Sequence, residues 1–95
     1  MAEMYELHAE VCKIFSNPIR LKILYLLKEN GLSVTEIIQK TKLSQANVSQ
    51  HISIMKAKDI LSSERKGKNI YYSLNNQKII KALNLIQEVL KEKLK

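Results

Sequence analysis

Apolar residues recur along this chain with changing periods, and each period predicts an element. Met4, Leu7, Val11 and Ile14 fall at three- and four-residue steps, which makes one stripe on a helix from about Met4 to Phe15. Asn17 then reads as an N-cap with Pro18 at the first helical position, where a missing N–H costs nothing. From Pro18 to Glu29 the apolar residues (Ile19, Leu21, Ile23, Leu24, Leu26, Leu27) run nearly all round, as on a helix at the centre of a fold. Asn30-Gly31 is expected to end that helix in a left-handed turn. Ser33-Val34-Thr35-Glu36 fits a capping box and opens a short helix over 34–41, with Val34, Ile37 and Ile38 inward. After two or three linking residues Ser44 caps a fourth helix, whose inward positions to residue 58 are Val48, Ile52 and Met55. Two helices joined so tightly, the second opening on polar residues, form a helix-turn-helix pattern over 34–58.

Beyond Lys58 the pattern becomes extended. Ile60 to Arg65 and Ile70 to Leu74 flank Lys66-Gly67-Lys68-Asn69, which predicts a β-hairpin over 60–74. Asn75 or Asn76 then caps a last helix over 76–93, with Ile79, Leu83, Ile86 and Leu90 on one face. The order predicts a mainly α (α+β) fold, a winged helix-turn-helix of about five helices with a two-stranded β-wing. With 95 residues and no internal repeat, it is expected to be a single domain over 1–95.

Charge adds a direction to this outline. The chain carries a net +7, yet residues 1–36 hold four basic and five acidic side chains. Residues 37–78 hold eight basic and only two acidic ones, so the positive field is concentrated on the helix-turn-helix and wing. Such a field attracts polyanions. The first ten residues are acidic and no apolar run approaches the length of a bilayer span, so neither a signal peptide nor a membrane segment is expected. One cysteine excludes an intrachain disulfide and suits the reducing cytoplasm.

On the fourth helix the face opposite the core carries Ala46, Ser49, Gln50, Ser53 and Ala57, all short or amide-bearing and uncharged. Small side chains let a helix backbone approach a major groove, and Gln and Ser exchange hydrogen bonds with base edges. Gln45, in the first turn, reaches bases as well, and Asn47 beside it is a candidate for phosphate. Ser44, Lys40, Lys42 and Lys56, with Arg65, Lys66 and Lys68 on the hairpin, are the further candidates for phosphate contact, which needs only charge or a donor within reach. His51 lies at the margin of the core stripe, where packing or a phosphate contact fits better than chemistry.

Three segments are similar to the ArsR/SmtB family of bacterial and archaeal repressors. Phe15-Ser16-Asn17-Pro18-Ile19-Arg20-Leu21-Lys22-Ile23-Leu24 resembles that family's opening, and Leu43-Ser44-Gln45-Ala46-Asn47-Val48-Ser49-Gln50-His51-Ile52 its recognition helix. Lys66-Gly67-Lys68-Asn69-Ile70-Tyr71-Tyr72-Ser73-Leu74 resembles its wing. The resemblance spans about residues 14–75 and implies a homodimer that occupies double-stranded operator DNA and releases it on a signal, with Gln45, Ser49 and Gln50 reading bases. The apolar stripes of the terminal helices, 4–15 and 76–93 (Met4, Leu7, Val11, Ile79, Leu83, Ile86 and Leu90), either cover the chain's own core or pack together in a dimer, and the resemblance favours dimerisation.

The departures are informative. Where metal-sensing members place two cysteines, this chain has Ser33 and Thr35, and its last helix has no His, Asp or Cys, only Glu88 and Glu92. Hydroxyls do not replace thiolates for soft metals, so no metal site and no cofactor is expected. Lys42 and Asp59 stand where the family commonly has glycine. His8 and Cys12 share a face of the first helix; they are read as the edge of an interface, with metal ligation or oxidation of Cys12 as the minor readings. No inducer is named by these residues. A glycine-rich phosphate loop, a Ser-His-Asp arrangement and paired carboxylates are all missing, so an enzyme is not expected. The competing class is a winged-helix interaction module, which would carry large apolar anchors on the outer face of the fourth helix.

Overall fold

A computed structural model describes residues 2–94. The elements run α1 (Ala2–Phe15), α2 (Pro18–Leu26), β1 (Leu32–Ser33), α3 (Val34–Thr41), α4 (Gln45–Ala57), β2 (Leu61–Lys66), β3 (Asn69–Leu74) and α5 (Lys78–Lys93). The expected helix-turn-helix and hairpin are present, and the hairpin belongs to a three-stranded antiparallel sheet of order β1-β3-β2 rather than a two-stranded wing. β1 is only two residues long, pairing Leu32 with Tyr72 and Ser33 with Tyr71. So short a strand has no period of its own.

Local chemistry accounts for most boundaries. Asn17 Oδ1 accepts the N–H groups of Ile19 (2.9 Å) and Arg20 (3.1 Å), which starts α2 at Pro18. The helix ends earlier than its apolar run implies, at Leu26 with Leu27 as cap. Gly31 does not adopt the left-handed conformation expected of it; Gly67 is the glycine with positive φ. Gly31 instead passes the sheet so closely that a Cβ there would lie 3.3 Å from the Tyr72 carbonyl oxygen.

The capping box at α3 is complete. Ser33 Oγ accepts from Glu36 N–H (3.2 Å), and Glu36 Oε1 accepts from Ser33 N–H (3.0 Å). Lys42 leaves α3 at φ 63°, and its N–H donates to the Ile38 carbonyl (2.8 Å), an αL ending made without glycine. Buried Thr41 steadies the same turn, donating to the Ile37 carbonyl (2.8 Å) and accepting from Leu43 N–H (3.3 Å).

Asp59 plays the corresponding part at the exit of α4, with φ 59°. Ile60 N–H donates to the Met55 carbonyl (3.0 Å) and Asp59 N–H to that of Lys56 (3.1 Å), the paired bonds of a Schellman ending. Ile60 and Met55 are both buried and supply the apolar contact of that motif. The wing turn is tighter than the four residues expected. Lys66 pairs with Asn69, leaving Gly67 and Lys68 as a two-residue turn. Gly67 alone has positive φ (63°) there, as the first position of a type II′ turn requires. At the start of α5 neither expected asparagine is the formal cap, which is Gln77 without a side-chain bond. Asn76 Oδ1 nevertheless accepts the Lys78 N–H (2.9 Å), while Asn75 donates to the Asp59 carbonyl (3.0 Å) and joins the wing to the exit of α4.

The core gathers Ile14, Ile23, Leu24, Leu27, Ile37, Val48, Ile52, Met55 and Leu61, with Ile80 and Leu83 from α5. Among the described residues no helix is long and apolar enough to cross a membrane.

Candidate nucleic-acid interface

Burial divides α4 as its sequence predicts. Val48, Ile52 and Met55 are almost wholly enclosed, whereas Gln45, Ala46, Gln50 and Ser53 are exposed and Ser49 half-exposed. These five residues therefore form one uncharged polar strip. None of the large exposed apolar side chains of the described residues lies on α4, so the strip lacks the anchors an interaction module needs. Ser44 is exposed and its hydroxyl oxygen accepts the Asn47 N–H (3.1 Å), which starts the helix and leaves the hydroxyl proton to donate elsewhere. Asn47 is half-buried at that same end.

Lys42 and Lys56, near the two ends of α4, are exposed. Lys40 is exposed too, but it borders a shallow depression with Tyr25, Leu26 and Asn30 beside the exit of α2, apart from the polar strip. On the wing, Arg65 Nε donates to the Gly67 carbonyl (3.3 Å) and Lys66 Nζ lies 5.9 Å from the centre of the Tyr71 ring. Both cations are thereby held near the turn rather than free on long stems, and Lys68 is exposed at the tip.

His51 is buried, and the contact open to it at the sequence level is an internal one. Its Nδ1 accepts from Arg20 Nε at 3.2 Å. A guanidinium only donates, so Nδ1 carries the lone pair and the proton sits on Nε2. Burial first, and the neighbouring Arg20 charge second, lower the His51 pKa below the usual imidazole value. The pairing was missed in the sequence because its members are 31 residues apart and no period links them. The one available signal was that both lie in the two helix segments resembling the family.

The expected dimer residues separate into two groups. Met4, Leu7, Ile86 and Leu90 are more than half exposed, as are Tyr5, Leu85 and Val89 beside them. Val11 and Ile79 are half-buried against the chain's own core, and Leu83, at 5% exposure, lies within it. Leu83 is thus a core residue and not a surface one, because α5 turns its first half inward and only its second half outward. Apolar grooves of about 470 and 290 Å³ run between α1 and α5, and Cys12, Phe15, Leu83 and Ile86 line both. His8 and Cys12 meet in the larger one. Among the described residues no three His, Cys, Asp or Glu side chains stand close enough to share a metal ion.

Comparison with known proteins places this geometry. The family described as bacterial regulatory protein, arsR family, matches residues 17–63, which run from the cap of α2 into β2. The transcriptional repressor PagR of Bacillus anthracis is 51% identical over 83 residues, covering 83% of either chain. The transcriptional repressor SdpR of Bacillus subtilis is 38% identical over 74 residues, covering 78% of this chain and 82% of its own. The crystal structure of PagR superposes with a TM-score of 0.79 at 42% identity, over 90% of this chain and 99% of that one. A homodimeric winged helix-turn-helix DNA-binding domain from Mycobacterium bovis, a possible ArsR-family regulator, superposes with a TM-score of 0.87 at 27% identity, over 98% and 86%. The chain belongs to the ArsR family of bacterial regulatory proteins, which are DNA-binding transcription regulators of winged helix-turn-helix fold and not enzymes.

Proposed function

We propose that this chain is a homodimeric repressor that occupies an inverted-repeat operator in the cytoplasm, reading bases with Gln45, Ala46, Ser49, Gln50 and Ser53 of α4. The observation that carries the reading is the polar, uncharged and exposed strip on a helix whose opposite side is locked in the core. Ser44, Asn47, Lys40, Lys42, Lys56, Arg65, Lys66 and Lys68 position the duplex through its phosphates.

Repression is supported by PagR and SdpR, both repressors. Dimerisation is supported by the exposed apolar faces of α1 and α5 and by the homodimeric M. bovis relative. The pairing uses Met4, Leu7, Ile86 and Leu90, with Val11 and Ile79 at its floor and Leu83 beneath it. A two-fold axis then sets two α4 helices about 34 Å apart, one turn of B-DNA. Ser33, Thr35 and an α5 without His, Asp or Cys support a member that works without a metal cofactor.

A salt titration of duplex binding tests the reading. Each neutralised phosphate adds about 0.9 to the slope of log affinity against log salt, so affinity falls steeply as salt rises. A flat titration, or no binding to any duplex at low salt, overturns it.

A further inference from the structure

We propose that Arg20 is the positioning residue of the DNA-reading helix, tying the end of α1 to the inward side of α4 through His51. The proposal rests on α4 being that helix. It goes further by naming what fixes the rotation of α4 about its axis.

Arg20 is itself anchored, since its backbone N–H is held by Asn17 Oδ1 in the cap of α2. Its side chain then donates in two directions. Nε reaches His51 Nδ1 at 3.2 Å, and a terminal nitrogen reaches the Ile14 carbonyl at 3.4 Å. Ile14 lies in the last turn of α1, where carbonyls lack helical partners and a cation is favoured. One guanidinium therefore joins α1, α2 and α4.

Apolar contacts at Val48, Ile52 and Met55 decide which side of α4 faces inward, but they are non-directional. The guanidinium fork is directional and satisfies a buried imidazole that would otherwise lose its hydrogen bond to water. His51 directly follows Gln50, so fixing the imidazole fixes the direction in which the amide leaves the helix. Only neutral His51 can take part. Protonation fills the accepting lone pair and sets a second cation beside Arg20.

Among the described residues, Arg20 is the one charged group that shifts His51, and Lys22, on α2 with Arg20, is exposed. Of the charged residues on the other elements packed against α4, Glu36 is engaged in the α3 capping box, and Lys40, Glu64, Arg65 and Lys66 are exposed. Glu10 of α1 meets Lys58 at the helix exit (3.9 Å). His51, lowered by burial and by Arg20, stays neutral through pH 7.

The experiment compares wild type, His51→Asn, His51→Leu and Arg20→Ala by duplex-binding anisotropy at fixed ionic strength, from about pH 8 to about pH 5.5. Asn keeps an uncharged acceptor near the Nδ1 position, whereas Leu fills the space and accepts nothing. At neutral pH His51→Asn should bind within roughly threefold of wild type, and His51→Leu roughly tenfold weaker or worse. As pH falls through the lowered His51 value wild type should lose affinity relative to His51→Asn, which still contains His8, so that general protonation cancels in the comparison. Equal binding by the Leu and Asn variants, or superimposable pH profiles of wild type and His51→Asn, overturns the proposal. If wild type binds no duplex at all, the DNA reading falls first, and amide hydrogen exchange judges the bridge alone. Faster exchange across residues 48–52 in Arg20→Ala supports it, and unchanged exchange overturns it.

Discussion

Gln50 and His51 are consecutive in the chain and opposite in role, one exposed on the polar strip and the other buried against Arg20. A helix advances about 100° per residue, so the alternation between outward and core-facing positions follows from geometry alone. Replacing Gln50 with Ala should relax preference at one base pair by about 1–3 kcal/mol, measured on a duplex and its single-base variants. Lys66→Ala should instead weaken all duplexes alike and lower the salt slope by about 1. His51 also makes stability depend on pH. Its folded-state pKa lies below the unfolded value of about 6.5, so the unfolded chain binds the proton more readily. The stability from neutral His51 is complete above about pH 6.5 and is lost as pH falls through the lowered folded-state value. Urea melts from pH 7.5 down to pH 5 should show that loss, and His51→Asn should reduce it. The polar strip was legible in the sequence because its period is local. The Arg20 contact was not, because tertiary packing alone brings the two residues together.

At the scale of elements, the turns are where this chain departs from easy backbone chemistry. Lys42 and Asp59 both hold positive φ, at 63° and 59°, in positions that suit glycine. Left-handed backbone costs a residue with a Cβ about 1 kcal/mol or more, offset in part by the greater freedom glycine has when unfolded. Lys42→Gly should therefore raise stability by about 0.5–1 kcal/mol in denaturant melts, while removing one exposed positive charge. Ser44→Ala should act in the opposite sense, costing about 1 kcal/mol through loss of the cap on Asn47 N–H. Helix starts were readable because caps are local side-chain bonds. The end of α2 and the existence of β1 were not, since a two-residue strand is defined by its partners Tyr71 and Tyr72 some forty residues away.

At the scale of the molecule, one chain leaves two apolar faces without cover. Met4, Tyr5 and Leu7 on α1, and Leu85, Ile86, Val89 and Leu90 on α5, are each more than half exposed, with apolar grooves between the two helices. The proposed occupant is a second copy, which would also produce two-fold-related recognition helices. Leu90→Lys should place unpaired charges in that face and shift sedimentation at micromolar concentration from dimer toward monomer, weakening operator binding while leaving the core intact. The apolar stripe of α5 was visible in the sequence, but its division was not. Whether Leu83 faces a partner or its own chain depends on how far α5 lies over the core, and the structure encloses it.

Selection of binding sites from random duplex DNA, run in parallel on wild type and on a Ser49→Ala, Gln50→Ala double variant, bears most directly on α4 as the reading element. Wild type should enrich an inverted repeat with half-sites about one helical turn apart, and the variant should blur defined positions within each half-site. No enriched motif from wild type, or an identical motif from the variant, would contradict the account.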